Sequence, residues 1–559
     1  MSAERMQMEI DKIIAWAKEW KMKINEDKTK TLIISTKPAD YKANPHLELN
    51  GKEIASVKDY KFLGVKVDQG LRCTEHMNDT IKKCSKRVNI MKCLAGRDWG
   101  QSLETGRKVY LTLIRPCLEN ASSSWWSWAA PTHHTRMQRV QNAACRVMGG
   151  LAKGCPQDYL HLETGIEPLK NRMEKNDAIL ADKYARLPES DDRRKLLDKD
   201  AKVTLRSRFG WRDQAEKTSN IAMFANRQHR MLKPWMTYTN IRIDKVPLEK
   251  RKAEYSNEEL LRLAVDKIAE FDVNFRIFTD GSTDGEQRNG GAGTYIEDGR
   301  GTPIEEFSEA AGAYCSSYGG ECVAMLRAVT WIREHEIDNT ELRSLILTDS
   351  DSLVSAIQDN SWKIKDEWLL EIKCVLAEIK SDVTILWVPS HCNIDGNEKA
   401  DELAKTGTSK DQSTVPITHS IRKAKIKARR WEVEHPRAKA MYKDRRKPQE
   451  DLERRWPRRV RTLFARLRSD HAKELNYYRE KIKTSDTADC DTCGVVENIK
   501  HVLCDCPTLE EARVRNWPGK VSIEMMVTEP DICRRILAHR YKALKIDKSD
   551  CHQKPSSTM

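Results

Sequence analysis

Residues 275–282 read FRIFTDGS and residues 342–349 read LRSLILTD. Each is a short β-type run ending in an aspartate or just past one, with Asp280 in the first and Asp349 in the second. Around them such runs alternate with helical ones, the pattern of an α/β domain. GGAGTYIE (290–297) and the stretch around 303–308 read as the next two strands. Residues 321–334 read as a helix, SLVSAIQD (352–359) as another, and VTILWVPS (383–390) as the fifth strand. NEKADELAK (397–405) begins a last helix, and Gly407 ends the domain.

A strand end points its side chain into the crevice where open α/β sheets bind ligands. Two strands ending in Asp280 and Asp349 bring both carboxylates to one place, and Gly281 lets the chain turn sharply after the first. Glu321 begins a helix whose Ala324, Met325, Ala328 and Ile332 face a core. Asp401 lies on a helix whose Ala400, Leu403 and Ala404 face inward. Gathered carboxylates repel one another and hold their protons unless a cation supplies counter-charge. Oxygen-only ligands suit the hard ions Mg²⁺ or Mn²⁺. Two such ions, about 4 Å apart, can activate a water, hold a phosphodiester and stabilise the leaving oxygen. His391 lies just before the last acid, ahead of a flexible CNIDG stretch, where an imidazole can move protons or help product leave.

The bulk properties agree with a polyanionic partner. The chain has 559 residues, enough for several domains, and a formal net charge of +14 with a pI near 9.0. A basic balance of this kind favours nucleic acid. The 16 cysteines are scattered, many in helical-looking segments, as at Cys84, Cys93 and Cys145. MSAERMQMEIDK has no apolar signal-peptide core, and no run approaches the roughly 20 apolar residues of a membrane span. The expectation is an intracellular protein of nucleus or cytoplasm, not secreted, with reduced thiols and no membrane partner.

FTDGS, the GGE helix, TDSDS and WVPSHCNIDGNEKADELAK together resemble a type I ribonuclease H domain over 272–408. The resemblance is closest to the domains carried by non-long-terminal-repeat retrotransposons. It implies a mixed five-stranded sheet with flanking helices. It also implies Asp280, Glu321, Asp349 and Asp401 as ligands of two Mg²⁺ or Mn²⁺ ions, with His391 as a mobile histidine. The implied activity is endonucleolytic hydrolysis of the RNA strand of an RNA–DNA hybrid, a substrate marked by 2′-hydroxyls in a shallow minor groove. One position departs from the family, which usually has Gly two residues after the histidine where this chain has Asn393. Asn tolerates left-handed backbone better than most residues. A transposase or integrase of similar fold ends its acid order in Glu, and Asp401 argues against that class. The alternative is a catalytically decayed retroelement fragment that binds nucleic acid without cutting it.

The flanks extend the resemblance. INEDKTKTLIIS (24–35) and YKFLGVKV (60–67) resemble the end of a reverse transcriptase palm. Asn25, Lys28 and Thr29 match its late lysine motif, and 62–65 its primer-grip strand. Helical runs such as VYLTLIRPCLE (109–119) and MQRVQNAACRVMGG (137–150) resemble the thumb. The implied organisation is an incomplete palm at 1–70, a thumb-like helical region at 71–185, a charged connector at 186–271 and the ribonuclease H domain. A basic helical connector (409–480), a zinc-binding segment (481–520) and a tail (521–559) follow. No Asp-Asp turn precedes 24–35, so polymerisation by this chain alone is not expected.

Within the palm-like part, 31–35 and 60–68 read as strands, and Asn50-Gly51 predicts a type I′ hairpin within HLELNGKEI (46–54). The basic runs IRKAKIKARRW (421–431) and ERRWPRRVR (453–461), with Trp431, Tyr442 and Trp456, form a candidate groove for other nucleic acid. The same aromatics would equally pack a charged helix onto a core. Cys490, Cys493, His501 and Cys506 have the spacing of a tetrahedral structural zinc site, with Cys504 competing for the last position. Thr508 and Glu511 have the spacing of a capping box.

Overall fold

The computed structural model describes residues 3–35, 37–42, 45–96, 98–127, 129–187, 190–197, 240–285, 289–336, 341–359, 366–413, 415–443, 453 and 456–546. Residues 198–239 of the expected connector, 444–452 of the basic stretch and the tail beyond 546 lie outside that set. The described residues form two units. One combines the stretch up to Asp177 with that from Arg430 onward. The other takes the residues between.

The second unit is built on a mixed sheet. Its strands are β1 (Ile241–Lys245), β2 (Phe275–Thr283), β3 (Asn289–Asp298), β4 (Pro303–Ala313), β5 (Arg343–Thr348) and β6 (Asp382–Trp387). Its helices include α1 (Asn257–Ala269), α2 (Ser317–His335), α3 (Asp351–Gln358), α4 (Glu367–Leu376), α5 (Asp395–Thr408) and α6 (His419–Ala428). The strand order is β1-β6-β5-β2-β3-β4, parallel from β1 to β2 and antiparallel beyond.

The sheet therefore has six strands rather than the five expected. The extra strand, β1, lies in the stretch read as a charged connector. IRIDK is short and interrupted by charge, and it gains its place by parallel pairing with β6 from Ile241↔Val383 to Lys245↔Trp387.

Alternation along the central strands divides the core in two. Ile277, Ile346 and Ile385 face α2 and α4, packing with Met325, Ala328 and Ile372. Phe278, Leu345, Leu347 and Leu386 face the other way, onto Leu260, Ala264 and Ile268 of α1 and onto Cys392, Ile394 and Ala400. Helix α1 starts at a full capping box, Ser256 with Glu259.

The first unit is helical, as expected for 75–185, with Thr74–Leu94, Pro131–Gly149 and Gln157–Thr164 among its helices. Met77, Tyr110, Ile114, Trp125 and Met148 are fully buried in one cluster that also takes in Trp431, Met441, Tyr442 and Ala465. Trp431 and Tyr442 thus pack inside the protein, and Trp456 is buried in a neighbouring cluster with Phe464 and Leu467. The basic helix Arg458–Arg468 is likewise no open groove. Arg458 donates to the carbonyls of Gly96, Gln101, Val147 and Met148.

The Asn50-Gly51 hairpin forms, with φ of 52° and 77° and Glu48 paired to Glu53. Residues 31–35 make a single bridge, Thr31 to Ser56, instead of a strand. Residues 60–68 fold as a hairpin rather than one strand, because Leu63 and Gly64 take φ of 45° and 91°. Among the described residues no helix is long and apolar enough to cross a membrane, and the cysteines are free.

Candidate active site

Parallel pairing of β2 with β5 ends at Thr279↔Thr348. Asp280 is the next residue of β2 and Asp349 the residue just past β5, so they emerge side by side where the parallel pairing ends. Strand β2 does not stop at Asp280. It runs on to Thr283 against β3, with Asp280 opposite Gly293. Gly281 accordingly serves close approach rather than a turn. A Cβ there would stand 2.1 Å from the backbone nitrogen of Glu321 and 2.5 Å from the carbonyl carbon of Gly320.

Helix α2 begins four residues before Glu321, capped by Ser316 on the backbone nitrogen of Gly319. Gly320 lies inside the helix because β2 and β3 run against it, whereas a Cβ on Gly319 would meet Cys315 Sγ at 2.5 Å. A Cβ on Gly320 would meet the Gly291 carbonyl oxygen at 2.6 Å. This contact delivers Glu321, 6% exposed, to the two aspartates. Oxygens of Asp280, Glu321 and Asp349 all lie within 4.8 Å of one another.

The fourth acid stands apart from that group. Asp401 is carried by α5, which packs onto β3 where Gly291 and Gly293 leave no side chain. A Cβ on Gly293 would be 1.9 Å from the Ala400 carbonyl oxygen. Its carboxylate accepts a hydrogen bond from Lys405 Nζ at 2.5 Å, while its charge still acts on Asp280 and Asp349.

Burial and mutual repulsion keep protons on this cluster. Burial, then the Asp349 charge, pushes Asp280 up to about 7. Glu321 is raised well above the usual carboxylate range, first by burial and then by Asp280. Asp349 is raised by burial, against the opposing pull of His391 and Lys252. Glu321 Oε2 is buried with no hydrogen-bond partner. An unpartnered buried oxygen among three carboxylates is costly unless a cation faces it. The donor set fits Mg²⁺ or Mn²⁺.

His391 is exposed at φ 56°, and Asn393 takes φ 62°. Asn393 thus adopts the left-handed backbone that the family's Gly would supply. Sequence reasoning missed Lys252, which donates to Ser390 Oγ beside His391. Its signal was faint, one lysine in the basic run KRK at 250–252.

In the first unit, Cys490, Cys493, His501 and Cys506 converge, with ligand atoms within 4.8 Å of one another. Cys506 Sγ lies 4.0 Å from Cys490 Sγ and 3.8 Å from Cys493 Sγ. A zinc–sulfur bond of about 2.3 Å implies tetrahedral sulfur–sulfur edges of about 3.8 Å. His501 Nε2 is buried without a partner. Cys504 stays outside the group and packs on an apolar cluster. The predicted capping box does not form. Leu509 precedes the helix Glu510–Asn516 with no side-chain cap, and the Thr508 hydroxyl lies 3.0 Å from Cys506 Sγ instead.

Residues 272–409 match the RNase H family, and this stretch is an RNase H domain. Among curated proteins, the probable RNA-directed DNA polymerase from transposon BS of Drosophila melanogaster is 24% identical over 185 residues, 33% of this chain and 20% of that protein. The RNA-directed DNA polymerase from mobile element jockey of Drosophila funebris is 25% identical over 149 residues, 27% of this chain and 16% of that protein. The chain thus spans about a fifth or less of the length of these relatives. Among solved structures, LC11-RNase H1 isolated from compost shows 24% identity and a TM-score of 0.21, covering 24% of this chain and 96% of that one. The same enzyme in complex with an RNA/DNA hybrid shows 22% identity and a TM-score of 0.21, covering 24% of this chain and 99% of that one.

Proposed function

We propose that this RNase H domain hydrolyses the RNA strand of RNA–DNA hybrids, cutting internally and depending on two Mg²⁺ or Mn²⁺ ions. The observation that carries the reading is the convergence of Asp280, Glu321 and Asp349 around a buried, unpartnered Glu321 oxygen. Divalent ions held by these carboxylates would lower the pKa of an attacking water and supply counter-charge to the leaving oxygen.

The protein's own groups do the rest. Asp280 within β2 and Asp349 just past β5, side by side where the parallel pairing ends, would hold the ions that position the scissile phosphate. Asp401 serves as the fourth ligand. Its bond to Lys405 is an i,i+4 pair exposed on the lysine side, and gives way readily to a stronger ligand role. His391, exposed on its loop beside Asp349, moves a proton at the leaving oxygen and helps product depart. The zinc reading belongs to the same proposal, with Cys490, Cys493, His501 and Cys506 as structural ligands in an intracellular, retrotransposon-derived protein.

Incubating the purified chain with an RNA–DNA hybrid and Mg²⁺ tests this. Cleavage that EDTA and Asp280→Asn abolish is expected. Binding without cleavage by the unmodified protein would leave the decayed, nucleic-acid-binding reading in its place.

A further inference from the structure

The RNase H match begins at residue 272, yet residues 241–269 are built into the same sheet and core. Strand β1 pairs along its whole length with Val383–Trp387 of β6, and the ladder continues past it where the Val246 backbone nitrogen donates to the Trp387 carbonyl at 3.1 Å. Helix α1 buries Leu260, Ala264 and Ile268 in the cluster that also holds Cys392 and Ile394, the residues flanking Asn393 in the His391 loop. The turn between β1 and α1 is pinned as well. The Tyr255 hydroxyl accepts the backbone N–H groups of Glu249 and Lys250 at 2.9 and 3.0 Å.

This pinned turn carries Lys252 to the rim of the acid cluster. Lys252 is exposed, and its ammonium donates to the Ser390 hydroxyl, one residue before His391. Its charge reaches Asp349 and Cys392. Lys245, also on this edge, is paired with Asp351. Lys252 is bound instead to a neutral hydroxyl. An ammonium has three donors and Ser390 takes one of them. A polyanion whose scissile phosphodiester lies at Asp280 and Asp349 must lay neighbouring phosphates along this rim.

We propose that Lys252 is a phosphate ligand for the nucleic acid, and that the segment 241–269 is a substrate-binding part of the site. Ser390 holds the ammonium in place before substrate arrives, so little side-chain freedom is lost on binding. The inference rests on the reading of the acids as a nucleic-acid-cutting site, but its test does not require cleavage.

The test is fluorescence anisotropy of the full chain with a fluorescein-labelled RNA–DNA hybrid without added Mg²⁺, across a salt series. Lys252→Met is expected to weaken binding a few-fold and to make the log–log salt slope shallower by about 0.9, the signature of one lost phosphate contact. Lys252→Arg should restore the slope. Ser390→Ala, which removes the tether but keeps the charge, should leave the slope as it is. Thermal melting of each variant should match the unmodified chain, since Lys252 is exposed. An unchanged slope in Lys252→Met, even with slower cleavage, would overturn the proposal in favour of a role confined to holding the loop. Failure of the unmodified chain to bind the hybrid would overturn it too. Hybrid binding with the expected slope change, but no cleavage in Mg²⁺, would uphold Lys252 and reject the catalytic reading alone.

Discussion

Gly281 and Glu321 touch backbone to backbone: a Cβ on Gly281 would lie 2.1 Å from the Glu321 nitrogen. The atoms in the way belong to a helix in its second turn, which cannot swing aside as a side chain would. Gly281→Ala must therefore push α2 off β2 or distort the strand. Overpacking of this kind costs about 1–3 kcal/mol. It also withdraws Glu321 from Asp280 and Asp349. The expected result is a lower melting temperature together with loss of Mg²⁺-dependent cleavage. Retained cleavage in a stably folded Gly281→Ala protein would contradict this account of how Glu321 is delivered.

The acid cluster predicts a particular pH dependence for the metal-free protein. Asp280 is raised from an ordinary 3.8 to about 7. The folded state thus binds a proton more tightly than the unfolded one. Its contribution to stability is fully present below about pH 4 and is lost as pH rises through about 7. Without added Mg²⁺ the melting temperature should fall across that window, and Asp280→Asn should flatten part of the fall. Mg²⁺ should reverse the trend, stabilising more as the pH rises and the carboxylates ionise. Melting curves from pH 4 to 8 with and without Mg²⁺ check both signs.

The two candidate last ligands of the zinc cluster make opposite predictions. Cys506 Sγ sits among Cys490, Cys493 and His501, whereas burial pushes the Cys504 thiol up to about 11, away from that group. Cys506→Ser should strip zinc from the purified protein and lower its melting temperature. Cys504→Ser should retain zinc. Elemental analysis of the two variants side by side distinguishes them, and zinc loss in Cys504→Ser alone would reverse the assignment.

The acids could be read from the sequence because their chemistry fixes residue types at strand and helix positions that local patterns reveal. Asp280 and Asp349 each follow a run with strand character, and the helices bearing Glu321 and Asp401 have apolar stripes. What could not be read depends on distant partners. IRIDK at 241–245 has too little apolar run to declare a strand, and only pairing with β6 makes it one. Arg458 looks like part of a solvated basic face until its carbonyl partners, Gly96 and Met148 among them, come from more than three hundred residues away. YKFLGVKVD hides its turn because Leu63 takes a left-handed conformation usually left to Gly, Asn or Asp.

Arg468 offers a sharp contrast between buried and exposed charge. The residue is 3% exposed, and its guanidinium donates to Glu163, Glu453 and the Met526 carbonyl. The Tyr442 hydroxyl donates to the same Glu163. Removing the arginine leaves two buried carboxylates without their hydrogen-bonded counter-charge, only the Arg461 charge still acting on them, and breaking a buried pair in this way costs about 3–5 kcal/mol. Arg515 pairs with Glu511 at 2.5 Å, but both side chains are mostly in solvent. Deleting an exposed pair of this kind changes stability by about 0–1 kcal/mol. Arg468→Met should therefore melt far below the unmodified chain, whereas Arg515→Met should melt with it. The double variant Glu163→Gln with Glu453→Gln, added to Arg468→Met, should recover part of the loss because it removes the uncompensated charges. If the triple variant is no more stable than Arg468→Met alone, the cost lies in packing and not in the buried carboxylates.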